Sequence, residues 1–174
     1  YQNMLEETVA ELKGAPSELV ERWSPQISLS VPVLIPEDYI KDLPVRLALY
    51  RRIADLEEAN ASESFAAELT DRFGPPPPEV ENLLKVVTLK ALCRRAGVER
   101  VETGPKGAVI AFRDNRFANP AGLVKLIGDS AGTVKLRPDH HLVFQRAWSD
   151  ARMRVVGVEK LLTDLARIAE AVPA

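Results

Sequence analysis

The chain has 174 residues, 46% of them apolar and 28% charged, with a formal net charge of −2. This is globular composition, far from the disordered class, and the chain is long enough to bury roughly two-thirds of its unfolded surface without staples. No apolar run approaches the ~20 residues that span a bilayer, and no basic-then-apolar signal opens the sequence.

The single cysteine, Cys93, excludes an internal disulfide and fits a reducing, cytoplasmic compartment. The small net charge hides an asymmetry. Residues 1–74 carry 7 Lys/Arg and 14 Asp/Glu, a net of −7, whereas residues 75–174 carry 16 and 11, a net of +5. Such a division reads either as two partner surfaces or as halves that attract each other.

In chain order, residues 1–13 place Leu5, Val9 and Leu12 on one helical stripe. The chain starts at Tyr1, inside that pattern and without an initiator Met, so it reads as a piece of a longer protein. Gly14, Pro16 and Pro25 then interrupt regular structure. QISLSVPVLI (26–35) alternates, with Ile27, Leu29, Val31, Val33 and Ile35 on one face of a half-buried strand. Pro32 cannot donate to a ladder, which puts that strand at an edge. Asp42 and Pro44 open a helix that runs to about Glu58, with Leu47, Tyr50, Ile53 and Ala54 or Leu56 facing inward. A further helix starts near Ser62 and spaces Phe65, Leu69 and Phe73 four apart.

DRFGPPPPEVENLLKVV (71–87) follows. The four prolines, Pro75, Pro76, Pro77 and Pro78, read as a ligand for a proline-reading partner or as rigid punctuation. Their placement favours punctuation. Gly74 fits the left-handed position just past a helix end. Pro78 fits the first turn of the next helix, with Glu79 and Glu81 at its positive end. Val80, Leu83, Leu84, Val87 and Ala91 then form a stripe that ends near Arg94, Arg95 and Gly97.

The second half changes period. VERVET (98–103) and AVIAFR (108–113) form a hairpin across GPKG. Asn119–Pro120 caps a short helix through Leu123, Val124 and Ile127. Residues 132–137 and 141–148 form a second hairpin across PDH, and a helix over about 150–171, with Val172 extending its stripe, closes the chain. Hairpins segregated from helices predict an α+β fold: antiparallel hairpins packed with about five helices in a single compact domain, 26–174.

Chemistry-bearing motifs are sparse. The sequence has no G-x-x-x-x-G-K-S/T, G-x-G-x-x-G, G-x-S-x-G or H-E-x-x-H. No catalytic residue and no cofactor is therefore expected. His140 and His141 are adjacent, so on a strand they point to opposite faces and do not share a metal. Cys93 follows an apolar stripe and reads as structural. Residues 85–146 hold 12 Lys/Arg against 5 Asp/Glu. Arg94, Arg95, Lys106, Arg113, Arg116 and Arg137 are thus candidates for a basic surface, and a nucleic-acid-binding accessory module is the alternative reading.

Taken together, IPEDYI (35–40), RLALYRRIA (46–54), ELTDRFGPPPPEVENLL (68–84) and GPKGAVIAF (104–112) resemble the C-terminal domain of the bacterial transcription-repair coupling factors. The resemblance covers nearly the whole chain. Pro76 stands where that family usually has an apolar residue, and Lys41 where it often has proline. The resemblance implies a non-catalytic regulatory domain of an ATP-driven DNA translocase that displaces stalled RNA polymerase and recruits excision repair. The motor would lie upstream, with residues 1–13 as the end of the preceding module. The domain would dock on an N-terminal UvrB-like module of the same protein and mask the surface that binds UvrA. On that reading Glu68 and Asp71, three apart and off the apolar stripe, are the docking acids, with Arg72 beside them.

Overall fold

A computed structural model describes residues 23–171. The expected helix over 1–13, and Val172, lie outside the described residues. The described chain forms five strands and five helices in the order β1 (Gln26–Ser28), α1 (Leu43–Ala54), α2 (Ala59–Phe73), α3 (Pro78–Ala96), β2 (Val98–Gly104), β3 (Gly107–Phe112), α4 (Pro120–Asp129), β4 (Val134–Leu136), β5 (Leu142–Gln145) and α5 (Ala151–Glu170). A single 3-10 turn, Arg113–Asn115, links β3 to α4. The architecture is α+β, with one five-stranded sheet ordered β1-β2-β3-β5-β4.

Both hairpins pair antiparallel as their turns require, but β1 lies parallel to β2. Three helices separate β1 from β2, and a helical crossover returns the chain to the end from which it left. The sheet is therefore mixed, with a parallel edge that alternation alone does not reveal. The strand expected over 26–35 is also shorter. It stops at Ser28 because Ser30 adopts φ 53°. The bend is pinned from two sides: the Ser30 hydroxyl donates to the Thr103 carbonyl at 2.7 Å, and the Arg154 guanidinium donates to the Ser30 carbonyl at 2.8 Å. Leu29 and Ile35, expected on one face, consequently enter different cores, and Val33 is exposed.

The first core lies between one face of the sheet and helices α3, α4 and α5. Val101, Ile110, Leu142 and Phe144 meet Leu89, Cys93, Leu123, Val158, Leu162 and Leu165 there. A bulge between Val98 and Arg100 lets Val98 and Val101, three apart, both point inward. The second core is smaller. Ile35 and Ile40 pack with Leu49 and Ile53 of α1, Phe65 and Leu69 of α2, and Val80, Leu84 and Val87 of α3. Helix α3 therefore contributes its first half to one core and its second half to the other. On α1 the buried residues are Leu49 and Ile53; Ile53 was expected inside, whereas Leu47, also expected inside, is exposed. On α4, Leu123 is buried while Val124, expected on the same face, is 70% exposed.

The corner between α2 and α3 has the expected capping residues in altered geometry. Gly74 has φ 88° and ψ −179°, not a left-handed helical pair but a region that essentially only glycine occupies. Pro77 caps α3 and Pro78 takes its first position, with Glu79 and Glu81 in the first turn. Asp42 caps α1 by accepting from the Val45 amide at 3.3 Å, and Asn119 caps α4 by accepting from the Gly122 amide at 3.0 Å.

Candidate functional site

The residues of IPEDYI and RLALYRRIA build the scaffold on which the expected docking residues stand. Pro36 starts a turn whose carbonyl accepts from the Tyr39 and Ile40 amides, so Tyr39 swings over the end of α2. Its hydroxyl donates to the Gly74 carbonyl at 2.8 Å, and its ring meets Phe73 edge-on at 6.0 Å. Burial holds the Tyr39 hydroxyl above its ordinary pKa, so it stays a donor. The Tyr50 hydroxyl accepts from the Ile35 amide at 2.7 Å, tying α1 to the same loop. Sequence spacing places Tyr50 on the inward face of α1 but reveals the hydrogen-bond partner of neither tyrosine, because each acts on a backbone group distant in the chain.

On the outer flank of α1 and α2, Arg52 reaches across to Glu68. The guanidinium donates to both carboxylate oxygens, at 2.5 and 2.8 Å, and Arg72, one turn beyond Glu68, donates to the same carboxylate at 3.3 Å. Each arginine also lies over an aromatic ring: Arg52 over Phe65 at 4.7 Å and Arg72 over Phe73 at 4.8 Å. The hydrogen bond from Arg52 holds Glu68 at a pKa of about 2. Glu68 and Asp71 do share one flank of α2, as their spacing requires, but they differ in state. Glu68 is held between two arginines, whereas exposed Asp71 has no ion-pair partner among the described residues. Arg52 is the residue that sequence reasoning missed. It lies 16 positions before Glu68, and only helix packing makes them neighbours.

The six basic candidates do not form one patch. Strands β1, β2 and β5 begin, and β3 and β4 end, at the same end of the sheet. Arg94, Arg95, Arg113, Arg116 and Arg137 belong to that end. The Arg113 amide donates to the Gly97 carbonyl at 2.9 Å, and the Arg113 guanidinium covers the Trp23 ring at 5.2 Å. Lys106 occupies the β2–β3 turn at the opposite end. Two of the five are already paired, Arg95 with Glu170 at 2.5 Å and Arg137 with Asp139. Cys93 is fully buried, and burial pushes its thiol up to about 12. No cluster of metal-ligating side chains occurs among the described residues, and no described helix is long and apolar enough to cross a membrane.

A mixed sheet backed by helices, carrying a braced charge cluster on its helical flank, defines a small α+β domain whose distinctive residues build surface and scaffold. Its family follows from comparison: the TRCF domain matches residues 29–123, so the chain belongs to the TRCF domain family. It is 36% identical over 168 residues to a transcription-repair-coupling factor of Rickettsia prowazekii, covering 97% of this chain and 15% of that protein. To the transcription-repair-coupling factor of Escherichia coli it is 31% identical, covering 95% of this chain and again 15% of the relative. The chain thus spans about 15% of the length of these curated relatives. Its fold is that of a crystal structure of the C-terminal domain of transcription-repair coupling factor, with TM-score 0.68 and 22% identity over 87% of this chain and 99% of that one.

Proposed function

We propose that this chain is a non-catalytic regulatory domain that docks, through the α1–α2 flank, on a UvrB-like module at the other end of the same protein and so masks that module's UvrA-binding surface. The observation that supports this reading is the Arg52–Glu68–Arg72 cluster beside exposed Asp71, which has no ion-pair partner among the described residues. Stacking of both arginines on aromatic rings limits their freedom before any partner arrives, so less entropy is lost on docking. Tethering within one polypeptide raises the effective concentration, so a modest interface suffices to hold a closed state that can still open. Charge pairs at such a face set register and on-rate more than affinity. On this reading, DNA translocation, ATP turnover and engagement of RNA polymerase belong to the remainder of the longer protein.

The test is a pair of variants measured by calorimetry against the isolated UvrB-like module. Asp71→Arg leaves the Arg52–Glu68 pair in place and reverses the charge of a proposed docking acid, so that it would repel the arginines such an acid is expected to meet on the module. Glu68→Arg/Asp71→Arg removes the cluster as well. Desolvated pairs that lose a partner cost about 2–5 kcal/mol, and rim pairs much less. Both variants should keep the parent circular dichroism and bind the module more weakly, and in the full-length protein the double variant should bind UvrA more tightly. Unchanged affinity for the module with an intact fold would remove this flank from the interface. Salt-dependent DNA binding by the isolated chain, abolished by changes at Arg94, Arg113 and Arg116, would support the nucleic-acid reading instead.

A further inference from the structure

Where the β2–β3 turn meets the start of α5, at the end of the sheet away from Arg94 and Arg113, lies a groove of about 380 Å³ that the docking reading does not use. Trp148, Met153 and Val156 supply its apolar lining. Trp148 is buried, whereas Met153 and Val156 are 43% and 58% exposed, so the indole is the floor and the two α5 side chains are walls that face water. Position 157 shapes the groove. A Cβ on Gly157 would come within 2.4 Å of the indole, so only glycine lets Trp148 lie against the α5 backbone. The Trp148 amide donates to the Pro105 carbonyl and the Arg146 amide to the Lys106 carbonyl, both at 2.9 Å, which brings the turn that carries Lys106 alongside.

We propose that this groove docks an acidic amphipathic segment of a partner protein, whose apolar side chains enter between Met153, Val156 and Trp148 while its carboxylates meet the surrounding cations. Charge selects that occupant. Lys106, Arg146, Arg152 and Lys160 have no ion-pair partner among the described residues. Exposed Lys160 continues the Met153–Val156 face of α5 at i+7. The nearby acids are already engaged: Asp150 accepts from the Met153 amide at 2.8 Å, and Glu159 is held by Lys85 at 3.0 Å. The apolar lining argues for protein over nucleic acid. A phosphate backbone would use the cations but leave Met153 and Val156 without an apolar partner, and the buried Trp148 offers no face on which a base could stack. Trp, Met and Arg are also the residue types that interface centres favour. The groove between α4 and β4 selects no occupant in this way, because its one lining guanidinium, Arg116, stands in a segment that also carries Asp114, Asp129 and Asp139.

The experiment titrates the isotope-enriched 174-residue chain with a synthetic helical peptide that has leucines at i, i+3, i+4 and i+7 and glutamates elsewhere. The amides of Lys106, Met153, Val156 and Gly157 and the Trp148 indole N–H should shift. A peptide with serine for each leucine, or lysine for each glutamate, should leave them in place. Met153→Glu/Val156→Glu, a change confined to exposed side chains, should abolish the shifts with the fold intact. Lys106→Glu/Arg152→Glu should raise the Kd roughly tenfold, the scale of two reversed rim charges. Absence of shifts at millimolar leucine–glutamate peptide would overturn the proposal, as would shifts centred on Val124 and Leu136. Equal binding of the serine or lysine peptide would overturn it too, by removing the apolar or the charge match. Displacement of the peptide by a single-stranded DNA oligonucleotide that shifts the same amides would give the face to nucleic acid instead. Self-association of the chain alone, abolished by Met153→Glu/Val156→Glu, would give it to a second copy and overturn the proposal equally. None of these outcomes depends on Asp71 or the UvrB-like module, so this proposal and the docking reading fail separately.

Discussion

Glu68 shows what one carboxylate does when two arginines hold it. Its folded pKa of about 2 lies below the ordinary value of 4.5, with the Arg52 hydrogen bond as the largest cause. A depressed value means that the contribution to stability is fully present above about pH 4.5 and fades as pH falls through about 2. Carbon-detected titration of Glu68 should therefore give a midpoint near 2, and Arg52→Ala should return it toward 4.5. A midpoint that stays low in Arg52→Ala would mean that Arg72 alone holds the carboxylate. Since the group is exposed, added salt should weaken the pair. Cys93 shows the opposite environment. Its thiol, pushed up to about 12 by burial, should resist an aromatic disulfide reagent at pH 8 in the native chain and react fully in denaturant.

Between α2 and α3, the backbone itself sets the corner. Gly74 at φ 88° and ψ −179° has nothing within 4 Å of where a Cβ would lie, so a side chain there meets no clash and its cost is purely conformational. Gly74→Ala should destabilise by roughly 1–3 kcal/mol in urea unfolding. Replacing Pro75 to Pro78 with Ala should lower stability further, on the order of 1 kcal/mol per position. Parent-like unfolding of the Ala variant would return the prolines to partner binding. Much of this corner was legible in the sequence, as were the capping residues Asp42, Asn119 and Pro78, because caps and glycines are local chemistry. The parallel pairing of β1 was not, since strand direction depends on where three intervening helices lead the chain. Nor was the division of Ile27–Ile35 between two cores, which follows from the bend at Ser30. At the candidate site, the shared flank of Glu68 and Asp71 was visible from a spacing of three. Arg52 was not, because its contact with Glu68 exists only once α1 and α2 pack together.

For the molecule as a whole, α3 joins two unequal cores. The α1–α2 layer rests on the smaller one, whereas the sheet and α5 close the larger around Leu162 and Leu165. Leu84→Ala, in the smaller core, should cost about 2–5 kcal/mol. Hydrogen exchange in that variant should speed up first in α1 and α2 while the amides of β2, β3 and α5 keep their protection. Leu162→Ala should raise exchange everywhere together. Equal acceleration throughout the Leu84→Ala chain would mean that the two cores open as one unit. If the docking flank lies on the less stable layer, as proposed, local opening there is the lower-energy route to release.

Both borders of the sheet are three residues long, β1 at one side and β4, with exposed Lys135, at the other. An open sheet invites neighbouring chains to add strands, and short, charged borders discourage them. On the docking reading proposed above, release of the α1–α2 flank would leave the molecule partly exposed in crowded surroundings. Its borders offer an incoming strand only a few backbone hydrogen bonds, too few to seed a fibre, so uncovering the face need not expose the chain to aggregation.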